Sequence, residues 1–329
     1  MADNPWGTSS PSSSSPPSRG REWELLEKVV LSSVQEQRRS RRWGIFFKLV
    51  TFLYIAAIFW MIFGSGGVEK GAISGSHTAV VSITGEISDG SDANADAIIE
   101  GLRSAFESPN SKAVVLRINS PGGSPVQSAY VYEEIRRLRA LHKDKKIYAV
   151  ITDMGASGAY YIAAAADQIY VNQGSLVGSI GVIMQGFGVQ GLMQKLGVED
   201  RTMTAGEHKA ILSPFEPMKP EEKVHVKNLL DAVHQQFITA VKQGRGQRLK
   251  ESPEIFSGLF WTGQQAVELG LADGFGSVDS VARSVVGAED IVDYSELPDP
   301  MTAVLKRLAA SMGDAVMAKM APAQGVQLR

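Results

Sequence analysis

Hydrophobic and polar positions divide the chain into three regimes. The stretch GIFFKLVTFLYIAAIFWMIF, residues 44–63, carries a single charge, Lys48, and is long enough to cross a bilayer as a helix. Before it, residues 21–42 read as a helix ending in the basic cluster RRSRRW. The first twenty residues, MADNPWGTSSPSSSSPPSRG, have the Ser/Pro-rich composition of a disordered segment. After a Gly/Ser-rich tether at 64–76, strand and helix periods alternate. HTAVVSITGEI alternates as a strand, and DANADAIIEGLRSAFESP reads as a helix. AVVLRINS (113–120) is a near-continuous apolar run, the type buried on both faces of a parallel sheet. VQSAYVYEEIRRLRALHKDK is helical and KIYAVITDMG a strand. ASGAYYIAAAAD then reads as a helix and QIYVNQ as a strand. This alternation predicts an α/β class with a mostly parallel sheet.

Residues 218–250 are strongly helical and charged. FWTGQQAVELGLADGFGSVDSVARSVV predicts two shorter helices around a glycine-rich turn. Near the end, residues 299–320 place Met301, Val304, Leu305, Leu308, Met312 and Val316 on one helical face, as in an amphipathic docking helix. Arg38, Arg39, Arg41 and Arg42 precede the apolar span, while Glu69 and Lys70 follow it. The excess of positive charge on the N-terminal side keeps that side cytoplasmic and exports the rest. The span lies too deep for a cleaved signal peptide and reads as a retained anchor.

Composition narrows the chemistry. The 329 residues carry a formal net charge of −2, which gives no reason to expect nucleic-acid binding. There is no cysteine, so disulfides, a thiol nucleophile and Cys-ligated metal are excluded. No Walker-type loop is visible, and no metal or other cofactor is expected.

Two stretches are unusual. NSPGGS (119–124) ends a buried strand on an open glycine turn, which exposes backbone N–H groups suited to an anion or a developing one. In DMGASGAYYIAAAAD (153–167), Ser157 follows a strand, sits between small residues and opens a helix. It is either an ordinary N-cap or a nucleophile at a sharp strand-to-helix turn. The two strands are joined by one helix, so a right-handed crossover sets them side by side with both stretches at one sheet edge. A serine beside exposed amides makes an acyl-transfer site, with Gly122, Gly123 and Gly158 as candidate oxyanion donors. The base is open. Of the five histidines, His77 is near the tether, His142 ends a charged helix, and His225 and His234 lie on a charged amphipathic helix that reads as solvated. In MTAGEHKAILSPFEP (203–217), His208 and Lys209 are rivals, the lysine requiring desolvation to serve. The apolar stretch GSIGVIMQGFGV (178–189) is suited either to an ordinary buried strand or to a groove that binds an extended peptide by strand addition, through Gly178, Ile180, Gly181 and Val182.

NSPGG, GASGAYYIAAAAD, GSIGV (178–182) and GEHKAILSPF together resemble the signal peptide peptidase A family, in its short, single-repeat, membrane-anchored form, over about residues 75–285. The resemblance implies a Clp-protease/crotonase-like fold and a Ser/Lys dyad, with Ser157 as nucleophile, Lys209 as general base and Ser179 orienting the lysine amine. It implies cleaved signal peptides as substrates. The soluble Clp relative uses a histidine about 25 residues after its serine, a region that holds none here. Crotonase-type acyl-CoA enzymes share the fold without a serine nucleophile. A related membrane protease with other substrates and an inactive scaffold are the alternatives. The expected organisation is a cytoplasmic disordered and basic head (1–42), one transmembrane anchor (43–66), a periplasmic serine protease domain (67–290) and an amphipathic tail (291–329), in the bacterial inner membrane. Longer family members carry two copies of the catalytic unit, and the resemblance implies that their serine and lysine come from different copies. A single-copy chain is therefore expected to form a homo-oligomeric ring with shared active sites.

Overall fold

The computed structural model describes residues 19–60, 75–250 and 252–295. The chain divides into two compact units, Met1–Glu69 and Lys70–Arg329. In the first, α1 (Arg19–Phe59) is a single continuous helix, so the predicted basic helix and apolar span merge. Its Arg41–Phe59 portion is long and apolar enough to cross a membrane. Phe46, Phe52 and Leu53 are exposed, and a helix apolar all round suits a bilayer or a protein core. Residues 61–66 of the expected anchor, and the amphipathic segment 299–320, lie outside the described residues.

The second unit is built on parallel strands. β1 (His77–Thr84), β2 (Ser111–Ser120) and β3 (Lys146–Ala156) form its centre. The crossovers are α2 (Ala95–Glu107) and α3 (Pro125–Leu141). Asn94 starts α2 by accepting the Ala97 N–H at 2.9 Å. Ser124 caps α3, and Pro125 supplies a fixed φ at its first turn. The run Ala113–Leu116 is buried on both faces, while Arg117 beyond it is exposed: Val114, Leu116 and Ile118 enter the main core, and Val115 enters a smaller cluster with Val80, Val150 and Val281.

β3 is shared by two neighbours. Its first part pairs with β4 (Gln168–Val171) and its last residues with β5 (Leu176–Gly178). Between β3 and β4 runs α4 (Gly158–Ala163), shorter than the expected helix through Asp167. Beyond it, a Cβ on Gly244 would come within 1.9 Å of the Ala164 carbonyl oxygen, so only glycine lets the later helix pass this close. After β5 come an extended stretch, α5 (Gln190–Leu196) and the long α6 (Pro220–Arg245). β6 (Phe260–Thr262) pairs antiparallel with β5. α7 (Gly263–Glu268), β7 (Gly274–Phe275) and α8 (Val278–Val281) follow, and β8 (Ile291–Asp293) pairs with β1. The sheet thus runs past the domain boundary expected at residue 290. Its order is β6-β5-β3-β2-β1-β8, with β4 and β7 extending from β3.

Two ion networks tie the helices down. Arg245, 1% exposed, donates to both Asp273 oxygens at 2.8 and 2.9 Å and to the Gly270 carbonyl at 2.9 Å, fixing the end of α6. Glu134 on α3 accepts from Arg103 and twice from Arg137, each at 2.7 Å. The Arg137 hydrogen bond has the largest influence, burial opposes it and Arg103 adds to it, leaving the carboxyl at about 2 rather than 4.5. Its folded value lies below its unfolded one, so its contribution to stability is complete above the ordinary carboxylate range and is lost as pH falls toward 2. Arg103 and Arg137 are half exposed (46% and 51%), which screens the pairs. Glu134→Gln is therefore expected to flatten the fall in melting temperature between about pH 4.5 and pH 2. An unchanged slope in the glutamine variant would remove Glu134 from acid stability.

Candidate active site

β2 and β3 run side by side and end at the same edge, with Ser120 opposite Gly155 in register. This brings the Pro121–Gly123 turn against Ser157. Gly122 and Gly123 have φ of +97° and +150°. A Cβ on Gly122 would lie 2.6 Å from the Gly158 nitrogen, and one on Gly123 would lie 2.2 Å from the Ile87 carbonyl oxygen. Glycine alone permits both the conformation and the approach. The turn is clamped by Ile87, whose N–H donates to the Gly122 carbonyl at 2.8 Å and whose carbonyl accepts the Ser124 N–H at 2.7 Å.

The three expected oxyanion donors are not equivalent. The Gly122 N–H already donates to the hydroxyl of Ser120, a fully buried residue, at 3.1 Å. Among the described residues, the Gly123 and Gly158 N–H groups have no protein partner.

Ser157 has φ +52° and ψ −124° and makes no side-chain capping hydrogen bond, so it is not an ordinary N-cap. A non-glycine residue held at positive φ costs about 1–3 kcal/mol, a strain that the surroundings must over-determine. They do so through its N–H, which donates to the Gly178 carbonyl at 2.8 Å, and its carbonyl, which accepts from Tyr161 N–H at 2.9 Å. The geometry is that of a sharp strand-to-helix turn that projects a free hydroxyl.

Ser157 lies between two cavities. One, of about 120 Å³, has Pro125, Ala129, Val182, Val233 and Phe237 in its wall together with Gln236. Tyr161 also lines it, its phenol pushed up in pKa by burial. The other, of about 440 Å³, holds Ser179, Lys227, Asp231 and His234. Ser179 is likewise at positive φ, +50°, so two strained serines border one cavity. Gly181 and Val182 line both cavities. Ile180 is fully buried in the core and is not groove wall. Gly178 is also buried, backed by Trp261, whose Cδ1 would lie 3.0 Å from an added Cβ.

The two rival bases stand elsewhere. His208 and Lys209 are exposed on a turn closed by the Lys209 N–H donating to the Gly206 carbonyl at 3.1 Å, and neither lines a cavity at Ser157. One histidine does: His234, expected on a solvated helix face, is half-buried in the second cavity with Nε2 2.9 Å from the Ile180 carbonyl oxygen. Helical periodicity places it correctly on α6 but carries no trace of a backbone partner so distant in sequence.

Comparison with known proteins places this site in a family. Residues 139–291 match the model of peptidase family S49. A Brucella melitensis protein named Na(+)/H(+) antiporter NhaA is 46% identical over 186 residues, which is 56% of this chain and 25% of that protein. The chain thus spans about a quarter of that relative. A Synechocystis protein bearing a protease name is 33% identical over 252 residues, 75% of this chain and 87% of its own. An Enterococcus faecium protein bearing the name signal peptide peptidase SppA is 31% identical over 234 residues, 69% and 67% of the two chains. With relatives of that identity covered over two thirds or more of their length, and the family model spanning Ser157, the chain belongs to peptidase family S49.

Proposed function

We propose that the chain is a membrane-anchored serine endopeptidase that uses a Ser157/Lys209 dyad on extended peptides, cleaved signal peptides among them. The observation that carries the reading is the strained Ser157, its hydroxyl free of any capping role, beside two amides without a partner among the described residues. In the mechanism, the uncharged amine of Lys209 takes the Ser157 proton as Oγ attacks the scissile carbonyl. The N–H groups of Gly123 and Gly158 hold the oxyanion, while Gly122, engaged with Ser120, fixes the turn. The lysine then protonates the leaving amine, and water repeats the cycle on the acyl-enzyme. Ser179 orients the lysine amine. The smaller cavity, walled by Pro125, Ala129 and Phe237, accepts a substrate side chain, and Gly181 and Val182 border the peptide.

The lysine comes from a neighbouring copy in a homo-oligomeric ring. Two features support this. Lys209 is exposed and outside both cavities. The segment bearing it exposes large apolar side chains, with Ile183, Phe187 and Met203 at 75%, 86% and 96%, a pattern that marks an interaction surface. The anchor in α1, preceded by the arginine cluster, puts the N-terminus in the cytoplasm and the catalytic unit on the periplasmic side of the bacterial inner membrane.

The full chain in detergent micelles, treated with a fluorophosphonate and separately with synthetic signal peptides, is expected to take the label on Ser157 and to cut the peptides within their apolar segment. A chain that neither labels nor cuts is an inactive scaffold. One that labels but cuts only other unfolded proteins is a related protease with different substrates.

A further inference from the structure

We propose that His234 is a positioning residue of this site: its ring holds the Ile180 carbonyl and thereby fixes the strained turn that carries Ser179 and braces Ser157. The inference rests on the reading of Ser157 as nucleophile. The turn Gly178–Gly181 is costly to hold because Ser179, a non-glycine residue, sits at φ +50°. Its backbone is tied group by group. The Gly178 carbonyl accepts the Ser157 N–H at 2.8 Å, the Ser179 N–H donates to the Leu259 carbonyl at 2.8 Å, and the Ser179 carbonyl accepts the Gly181 N–H at 2.9 Å. The Ile180 carbonyl is held instead by His234 Nε2 at 2.9 Å, the one side-chain tie on the turn's backbone among the described residues. Because the Gly178 carbonyl bonds directly to the Ser157 amide, any release of the turn is transmitted to the nucleophile within a few atoms.

The chemistry of the contact fixes the role. A carbonyl only accepts, so Nε2 is the donor in this contact. The Nε2 that would abstract a proton in a Ser/His mechanism is therefore already committed as a donor. A glutamine amide presents an N–H at similar reach but cannot act as a base, which separates positioning from proton transfer.

The test uses the full chain in micelles, reading signal-peptide hydrolysis, the rate of fluorophosphonate labelling and the melting temperature. His234→Ala is expected to lower kcat roughly ten- to hundredfold, the scale of an ångström-sized misplacement, with KM changed little and labelling slowed in parallel. His234→Gln is expected to recover most of the loss. His225→Ala, on an exposed part of the same helix, is expected to match the parent chain. A His234→Ala variant with parental kcat overturns the inference. A folded glutamine variant as slow as the alanine one overturns it too and assigns the ring a proton-transfer role. If the unaltered chain fails to label on Ser157, the nucleophile reading falls, an outcome distinct from either.

Discussion

Ser157→Ala is expected to reduce peptide hydrolysis by roughly 10⁴–10⁶-fold, the range over which removal of a serine nucleophile acts, while the chain still folds. The hydroxyl makes no capping bond, so its loss leaves no helix donor newly unsatisfied. The backbone ties of the residue, to the Gly178 carbonyl and from the Tyr161 N–H, survive the change. Stability should therefore shift by less than about 1 kcal/mol. Ser157→Gly gives a second reading of the same residue. It should be equally inactive yet at least as stable as the alanine variant, because glycine relieves the φ of +52° that both serine and alanine must bear. Hydrolysis by Ser157→Ala within tenfold of the parent would remove the serine from the chemistry. A glycine variant clearly less stable than the alanine one would show that the turn stores no strain.

Long parallel strands were the most legible part of the fold. The centre of β2, Ala113–Leu116, is apolar on both faces because neighbours cover both, and Val115 packs opposite to Val114 and Leu116. Such a run, followed by a capped helix and a second strand, leaves little choice of topology, so Ser157 and the glycine turn were placed at one edge from pattern alone. β5, β6, β7 and β8 are three residues long or fewer. They are too short for any period to develop, and the antiparallel β5–β6 pair and the β8 edge were not foreseen. The alanine run after Ser157 has high helix propensity, yet α4 stops at Ala163: the Ala165 and Ala166 N–H groups bond three residues back and the Asp167 N–H donates to the Ile147 carbonyl of β3, so tertiary pairing overrides propensity. Within the site, the three glycines could be told apart only with Ser120 in view, since its hydroxyl occupies one of the amides. The contact of His234 is not legible for a related reason: amphipathicity records which helix face is apolar, not which backbone carbonyl a polar side chain on its border will meet.

Lys209→Ala is expected to be as inactive as Ser157→Ala, and His208→Ala to keep most of its activity, since the proposed mechanism has no role for that ring. The more informative experiment combines the two inactive variants. Each chain holds its serine between cavities that Lys209 does not line, so in the proposed ring one site takes Ser157 from one copy and Lys209 from the next. Co-expression of Ser157→Ala and Lys209→Ala chains in equal amounts then yields one kind of restored junction, one doubly damaged and two singly damaged. A Lys209→Ala chain supplies an intact serine, and it is followed by a chain with an intact lysine half the time. Random mixing therefore restores about a quarter of the sites in a head-to-tail ring. Activity near a quarter of the parent, in oligomers shown by differential tags to contain both chains, is the expected result, and it should disappear when the two variants are assembled separately and then combined without exchange. Mixed oligomers with no activity would mean that each chain closes its own dyad. The exposed turn at Lys209 would then have to fold onto Ser157 of the same chain when substrate binds, and the apolar segment around it would serve assembly alone.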